Sequence, residues 1–213
     1  FEIRKNGAQT FDGMNFYDLK ITGTGDKSLT SDAYVRHSLV FNTGSGMIDG
    51  DTYGSVITLD TTATITENNS NYVLGTVQML GKHWANNTQF TFGGLGVDLT
   101  QGNYNLGAVD VIRYTGPSAI QTGSGNSGIA RAWDITPQND SALGRNGIFP
   151  SVVLHYSDNT TELNGISESG RVFLMTILTL LVCLSFRVYS AKVWYKNIHK
   201  LSKYSSNNHH DTK

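Results

Sequence analysis

The sequence predicts an all-β chain. It expects a β-solenoid-like repeat over residues 1–82, a β-sandwich-like module over 83–169, and an apolar, then basic, helical tail over 170–213. Three observations predict this. Inward and outward residues recur with a constant spacing near the N-terminus. Thr, Ser, Asn and Gly crowd the first four-fifths of the chain, the composition of short strands joined by tight turns. All 23 glycines and all three prolines lie before Arg171, where a different kind of sequence begins.

The repeat has a period of twenty. Tyr17, His37, Ile57 and Val77 form one column, and Leu19, Leu39, Leu59 and Met79 a second. Between them lie the polar residues Asp18, Ser38, Thr58 and Gln78. Each site reads as a short in-out-in strand. Ile21 and Phe41 extend the first two strands, and Ala33, Tyr53 and Val73 form a further column. Glycine and asparagine turns punctuate the gaps, at Gly23 and Gly25, Gly44 and Gly46, Gly50, and Asn68 to Asn71. A constant period suits coils that stack inward side chains on those of the coil below. The alternative is a meander of hairpins with coincidentally even spacing.

The pattern breaks at Lys82–Thr88. Strands are predicted next at Gln89–Phe92, Val97–Leu99, Ala108–Tyr114, Ile129–Ile135 and Ser151–Tyr156. Val109, Val111 and Arg113 face one way, and Asp110, Ile112 and Tyr114 the other. Strands of this length separated by Gly, Asn and Pro turns predict an antiparallel sandwich.

Val172–Phe186 is an apolar run interrupted by Thr176, Thr179, Cys183 and Ser185, and a helix is expected there. It is shorter than the roughly 20 residues that span a bilayer. The formal charge of −1 hides an asymmetry: nine Lys/Arg against sixteen Asp/Glu up to Gly170, a balance of −7, then seven against one, a balance of +6. Two origins stay open for residues 171–213, a membrane anchor and a shifted reading frame. Cys183 is the only cysteine, so the body has neither a disulfide framework nor a thiolate metal site. The chain opens on Phe1 without a basic and apolar leader, so it is expected to be a fragment whose export signals, if any, lay upstream.

The middle of the chain carries recognisable runs: Phe92–Leu99, Leu106–Gly116, Gly128–Pro137 (reading GIARAWDITP), and His155-Tyr156 followed by Glu162–Gly165. These resemble a β-rich module of bacterial surface and secreted proteins exported by the type IX secretion pathway. The opening Gly7–Gly25 resembles the repetitive β segments that often precede that module. The resemblance implies a mosaic parent, extracellular or cell-surface display and an adhesive or scaffolding role, with no catalytic residues to carry over. The chain departs from the pattern after Ser169, where another strand and further modules would be expected.

The chemistry-bearing motifs are sparse. Gly123, Gly125 and Gly128 fit G-x-G-x-x-G, but a strand follows where a phosphate site needs a helix. The six histidines show no metal spacing, and His37 is expected inside the repeat. Asp49 and Asp51 bracket Gly50 as an Asp-x-Asp turn, which makes calcium the one cofactor candidate, although further carboxylates are not nearby. No G-x-S-x-G elbow is present, and the acids Asp12, Asp26, Asp32, Asp60 and Glu67 are scattered through turns. The acidic body speaks against nucleic acid. The expectation is therefore no enzyme, with no catalytic or metal residues. Leu19, Leu39, Leu59, Met79 and Trp133 are expected to be structural core, and Asp134 to shape the turn at Pro137. Arg131 is expected to pair with Asp134 or another acid. Tyr53, Tyr72, Trp84 and Tyr104 are the ligand-surface candidates. Expected partners are an extracellular glycan or matrix and neighbouring modules of the same parent, with membrane contact only through the tail. The alternatives are a carbohydrate-binding accessory module and a β-helix polysaccharide-cleaving enzyme.

Overall fold

The computed structural model describes residues 1–83, 89–100, 106–120, 122–123, 126–127, 129–138, 151–156, 163–164, 172–180 and 183–191. The chain is all-β, and its first part is a β-solenoid of about four turns. The coils are built by β1 (Glu2–Ile3), β2 (Gln9–Phe11), β3 (Asn15–Ile21), β4 (Lys27–Leu29), β5 (Ala33–Phe41), β6 (Ile48–Asp49), β7 (Val56–Leu59), β8 (Thr64–Thr66) and β9 (Val73–His83). Two parallel ladders stack them, β1-β3-β5-β7-β9 and β2-β4-β6-β9. β9 belongs to both, and it bends at Gly75, whose φ of 112° is open to glycine and costly for other residues.

The repeat is real, but its length is not constant. Partners lie 18 residues apart at Glu2↔Lys20, 20 apart at Asp18↔Ser38, 24 apart at Ala33↔Ile57, 26 apart at Ser38↔Thr64 and 20 apart at Val56↔Thr76. Leu19 stacks on Leu39, and Leu59 on Met79, as the spacing predicts. The two pairs do not form one column. Leu39 meets Ile65, and Leu59 meets Val35. The turn at residues 51–54 takes up the step to 24 and the turn at 61–62, between β7 and β8, the further step to 26, because a coil must match its neighbour only at the inward side chains. All four side chains are fully or almost fully buried in one core. Truncating Leu39→Ala should cost about 2–5 kcal/mol in urea unfolding.

The other two columns are corrected as well. Ile57 and Val77 point inward and are buried, whereas Tyr17 is 68% exposed and His37 is exposed. The ladder slips between Phe16 and Asp18, so Tyr17 opposes both Arg36 and His37 and a bulge turns these side chains outward. Outside, the Tyr17 and His37 rings stack, with centroids 5.1 Å apart. His37 Nδ1 lies 2.7 Å from Asp18 Oδ1, and Ser38 donates to the same oxygen. These bonds, Ser38's first, hold the Asp18 carboxyl below its usual range. Ala33 and Val73 are buried, but Tyr53 is exposed in the turn and joins no column.

Buried polar side chains tie each coil to the one before. Lys27 is fully buried and donates to the carbonyls of Gly7 at 2.8 Å, Thr24 at 2.7 Å and Gly25 at 2.7 Å, which uses all three ammonium donors. Ser55 donates to the Leu29 carbonyl at 2.8 Å, and Asn71 to that of Ser45. Gly46 sits so close to the preceding coil that a Cβ there would overlap the Gly25 carbonyl.

The sheet then continues with a change of direction. After β10 (Gln89–Thr91) and β11 (Val97–Thr100), β12 (Ala108–Thr115) pairs antiparallel with β9. A 3-10 turn at Pro117–Ala119 and the short pair β13 (Thr122–Gly123) and β14 (Asn126–Ser127) lead to β15 (Arg131–Pro137), which pairs with β12. The inward ladders run on: Val35–Leu59–Met79–Val111–Ile135 in one, Ala33–Ile57–Val77–Arg113–Trp133 in the other. β9 therefore spans the boundary expected at residue 82 and pairs on both sides of it. β16 (Ser151–Leu154) closes a separate three-stranded antiparallel sheet, β10-β11-β16.

The tail differs from the expected helix. Val172–Leu180 is β17 and Cys183–Ala191 is β18, an antiparallel hairpin whose second strand pairs with β15. A short apolar run does not reveal its period. Val, Ile, Thr and Phe favour strands, and the open edge of β15 supplies hydrogen-bond partners. Among the described residues, no helix is long and apolar enough to cross a membrane.

Candidate functional site

A pocket of about 380 Å³ opens where the solenoid meets the antiparallel strands. One wall is the end of β8 and the turn after it, Ile65–Asn69 with Tyr72. Gly94 and Gly96, Arg131 of β15, and His155 with Tyr156 complete it. The walls are fixed to one another. Ile65 N–H donates to the Gly93 carbonyl at 2.7 Å, and His155 N–H to that of Gly96 at 2.8 Å. Gly94 has φ +89° and Gly96 φ +79°, a left-handed backbone that needs glycine.

Glu67 anchors the pocket floor. Its carboxylate takes both terminal nitrogens of Arg113, at 2.6 and 2.8 Å, and the Val73 amide at 2.8 Å. Arg113 is completely buried, and the Glu67 side chain is 12% exposed. Burial pushes the Glu67 carboxyl up. The charge and hydrogen bonds of Arg113, the charge of Arg131 and the Val73 amide outweigh it and hold the group below its usual range. At the rim, His155 Nε2 lies 2.9 Å from Asp98 Oδ2.

Behind the pocket, Trp133 is buried and its indole N–H donates to the Leu95 carbonyl at 2.8 Å. Asp134 does not form a turn. It lies mid-strand, faces the other way and accepts from the Tyr114 hydroxyl at 3.2 Å. Pro137 continues the strand opposite Val109. Arg131 lies on the inward side with Trp133, and its charge acts on Glu67.

Of the four aromatic ligand candidates, Tyr72 is buried and lines the pocket. Tyr53 is 53% exposed, and it does not line the pocket. Trp84 and Tyr104 lie outside the described residues, as do Gly125 and Gly128 of the glycine motif. Gly123 belongs to the strand pair with Asn126–Ser127. The calcium candidates have protein partners: Asp49 accepts from the Thr52 amide and hydroxyl at 3.0 and 2.6 Å, and Asp51 from Ser118 at 2.9 Å. Among the described residues, no three His, Cys, Asp or Glu side chains cluster as a metal site.

Comparison with protein-family models, with curated proteins and with solved structures found no match. The pocket therefore stands on its own geometry. Sequence reading missed the Glu67–Arg113 pair, 46 residues apart. The signal available was an arginine on the inward face of β12, since a buried guanidinium demands an acid.

Proposed function

We propose that the chain is a non-enzymatic structural or adhesive module of a larger bacterial cell-surface or secreted protein, of the type IX cargo kind. The observation that carries this reading is the uninterrupted inward ladder from Val35 to Ile135, which joins solenoid and antiparallel strands into one core. A continuous core suits a stiff spacer that presents a surface. The two layers β9-β12-β15 and β10-β11-β16, bridged by Trp133 and Leu95, support a sandwich-like second half. The use of Glu67 also fits. A carboxylate held ionised by a buried arginine is suited to holding strands together and poorly suited to donating a proton. Partners are an extracellular glycan or matrix and neighbouring modules of the parent, and membrane contact runs only through residues 171–213.

Protease treatment of intact cells tests this. The chain should be digested on whole cells while a cytoplasmic marker survives. The purified chain should release no reducing ends from polysaccharides. Protection until lysis would overturn the surface reading, and polysaccharide cleavage would overturn the non-enzymatic one.

A further inference from the structure

We propose that the N-terminal end of the solenoid is a docking surface for a second copy of this chain, the two copies meeting end to end about a two-fold axis.

The first observation is a pair of open strand edges. Among the described residues, β1 pairs only with β3, and β2 only with β4. The Phe1 and Ile3 carbonyls accept from the Lys20 and Thr22 amides at 2.9 and 3.0 Å. Glu2, between them, therefore turns its backbone N–H and C=O to the free side. In β2, Gln9 N–H donates to the Asp26 carbonyl at 3.1 Å, and the Phe11 carbonyl accepts from Thr30 at 3.0 Å. Thr10 is left in the same position as Glu2. β1 also covers only part of its neighbour. Glu2 faces Lys20 and Ile3 faces Ile21, so among the described residues no strand lies outside β3 from Asn15 to Tyr17. Sheet edges are commonly blunted by proline, charge or a covering segment. Gln9-Thr10-Phe11 carries neither proline nor charge.

The second observation is apolar exposure at the same end. Phe1 is 63% exposed, Met14 50% and Tyr17 68%. All three flank the uncovered start of β3, with the Phe1 ring 5.3 Å from that of Phe16. A terminal coil that ends a repeat array normally turns a polar face outward.

The third observation identifies the occupant. Two ladders end together, so the partner must offer two strand edges at once. A second solenoid end does so, and a single extended peptide does not. The far end of the solenoid is taken, because β12 pairs along β9 from Gly75 to His83. The contact is therefore between like ends, which is self-complementary and closes at two copies. Charge allows it. Over residues 1–22, Arg4, Lys5 and Lys20 balance Glu2, Asp12 and Asp18, whereas the body up to Gly170 carries −7. A neutral end lets two acidic bodies meet without the repulsion of like charges. On the adhesive reading above, a pair presents two outward faces from one stem, so weak contacts act together. The pairing itself does not depend on that reading.

The test is the mass of the full chain in solution, by light scattering and sedimentation, between about 1 and 100 µM. The mass should rise with concentration to twice that of one chain and stop there. Thr10→Pro removes the outward N–H and spares the bonds of Gln9 and Phe11 to the next coil, so the monomer keeps its fold. It should weaken association by about tenfold or more. Thr10→Lys, a milder change at the same exposed position, should weaken it by bringing like charges together, and Tyr53→Ala, in a distant turn, should not. The melting temperature of the parent should climb with concentration, and that of Thr10→Pro should stay level. A monomer at the highest concentration would overturn the proposal, as would growth beyond two copies. Association unchanged in both Thr10 variants would also overturn it, and would move the contact to β17, the opposite edge of the long sheet. Protease access on intact cells reads the surface reading separately, so either can fail without the other.

Discussion

Trp133→Ala should lower stability by about 3–5 kcal/mol, the cost of emptying a large aromatic site in a core. The indole is 1% exposed, and it stands between the β9-β12-β15 face and the turn that leads into β11. Its removal opens a cavity and leaves the Leu95 carbonyl without its N–H. For a domain of this size, that corresponds to a fall in melting temperature of roughly 6–20 °C. Trp133→Phe separates the two contributions, because it keeps most of the ring and loses the donor. It should cost about 1–3 kcal/mol, the penalty of an unmatched buried acceptor. Thermal and urea unfolding followed by circular dichroism reads both variants. An unchanged midpoint for Trp133→Ala would mean that the two layers do not depend on this contact.

Glu67→Gln should be as damaging for a different reason. Arg113 has no exposure at all, so the variant leaves a buried guanidinium without its counter-charge. Breaking one partner of such a pair costs about 3–5 kcal/mol. Removing both charges, in Glu67→Gln with Arg113→Met, should recover much of the loss, since a well-packed apolar replacement of a buried pair is often near neutral. The same pair predicts an acid dependence. The Glu67 carboxyl has a folded pKa below its ordinary value of 4.5. The folded state therefore binds this proton less readily than the unfolded chain does. Stability from the pair is complete above the ordinary value, and it falls as pH drops from there through the folded pKa. Urea midpoints measured between neutral pH and about pH 3 should show that decline in the parent chain and a shallower one in the double variant.

Much of the fold was legible because strand alternation is local. The in-out pattern identified β12 and its inward Arg113, and it placed Leu19, Leu39, Leu59, Met79 and Trp133 in the core. Turn residues marked where coils end. The site was far less legible. Glu67, Arg131 and His155 come from three distant segments, and nothing local to any of them tells that they meet.

The sequence by itself determined an all-β chain with a coiled N-terminal repeat, because residue type and period decide which side of a strand is apolar. Tertiary structure decided which strand lies beside which. The slips from a spacing of 20 to 24 and then to 26 are absorbed in the turns at 51–54 and 61–62, which leave the alternation on either side unchanged. A bulge turned Tyr17 and His37 outward although their spacing matched buried positions. The open edge of β15 drew Val172–Ala191 into a hairpin where apolarity alone suggested a helix. In each case the deciding interaction is between residues far apart in the chain. Pairing across that distance depends on loop length and on which backbone donors and acceptors remain open, and neither is recorded in local periodicity.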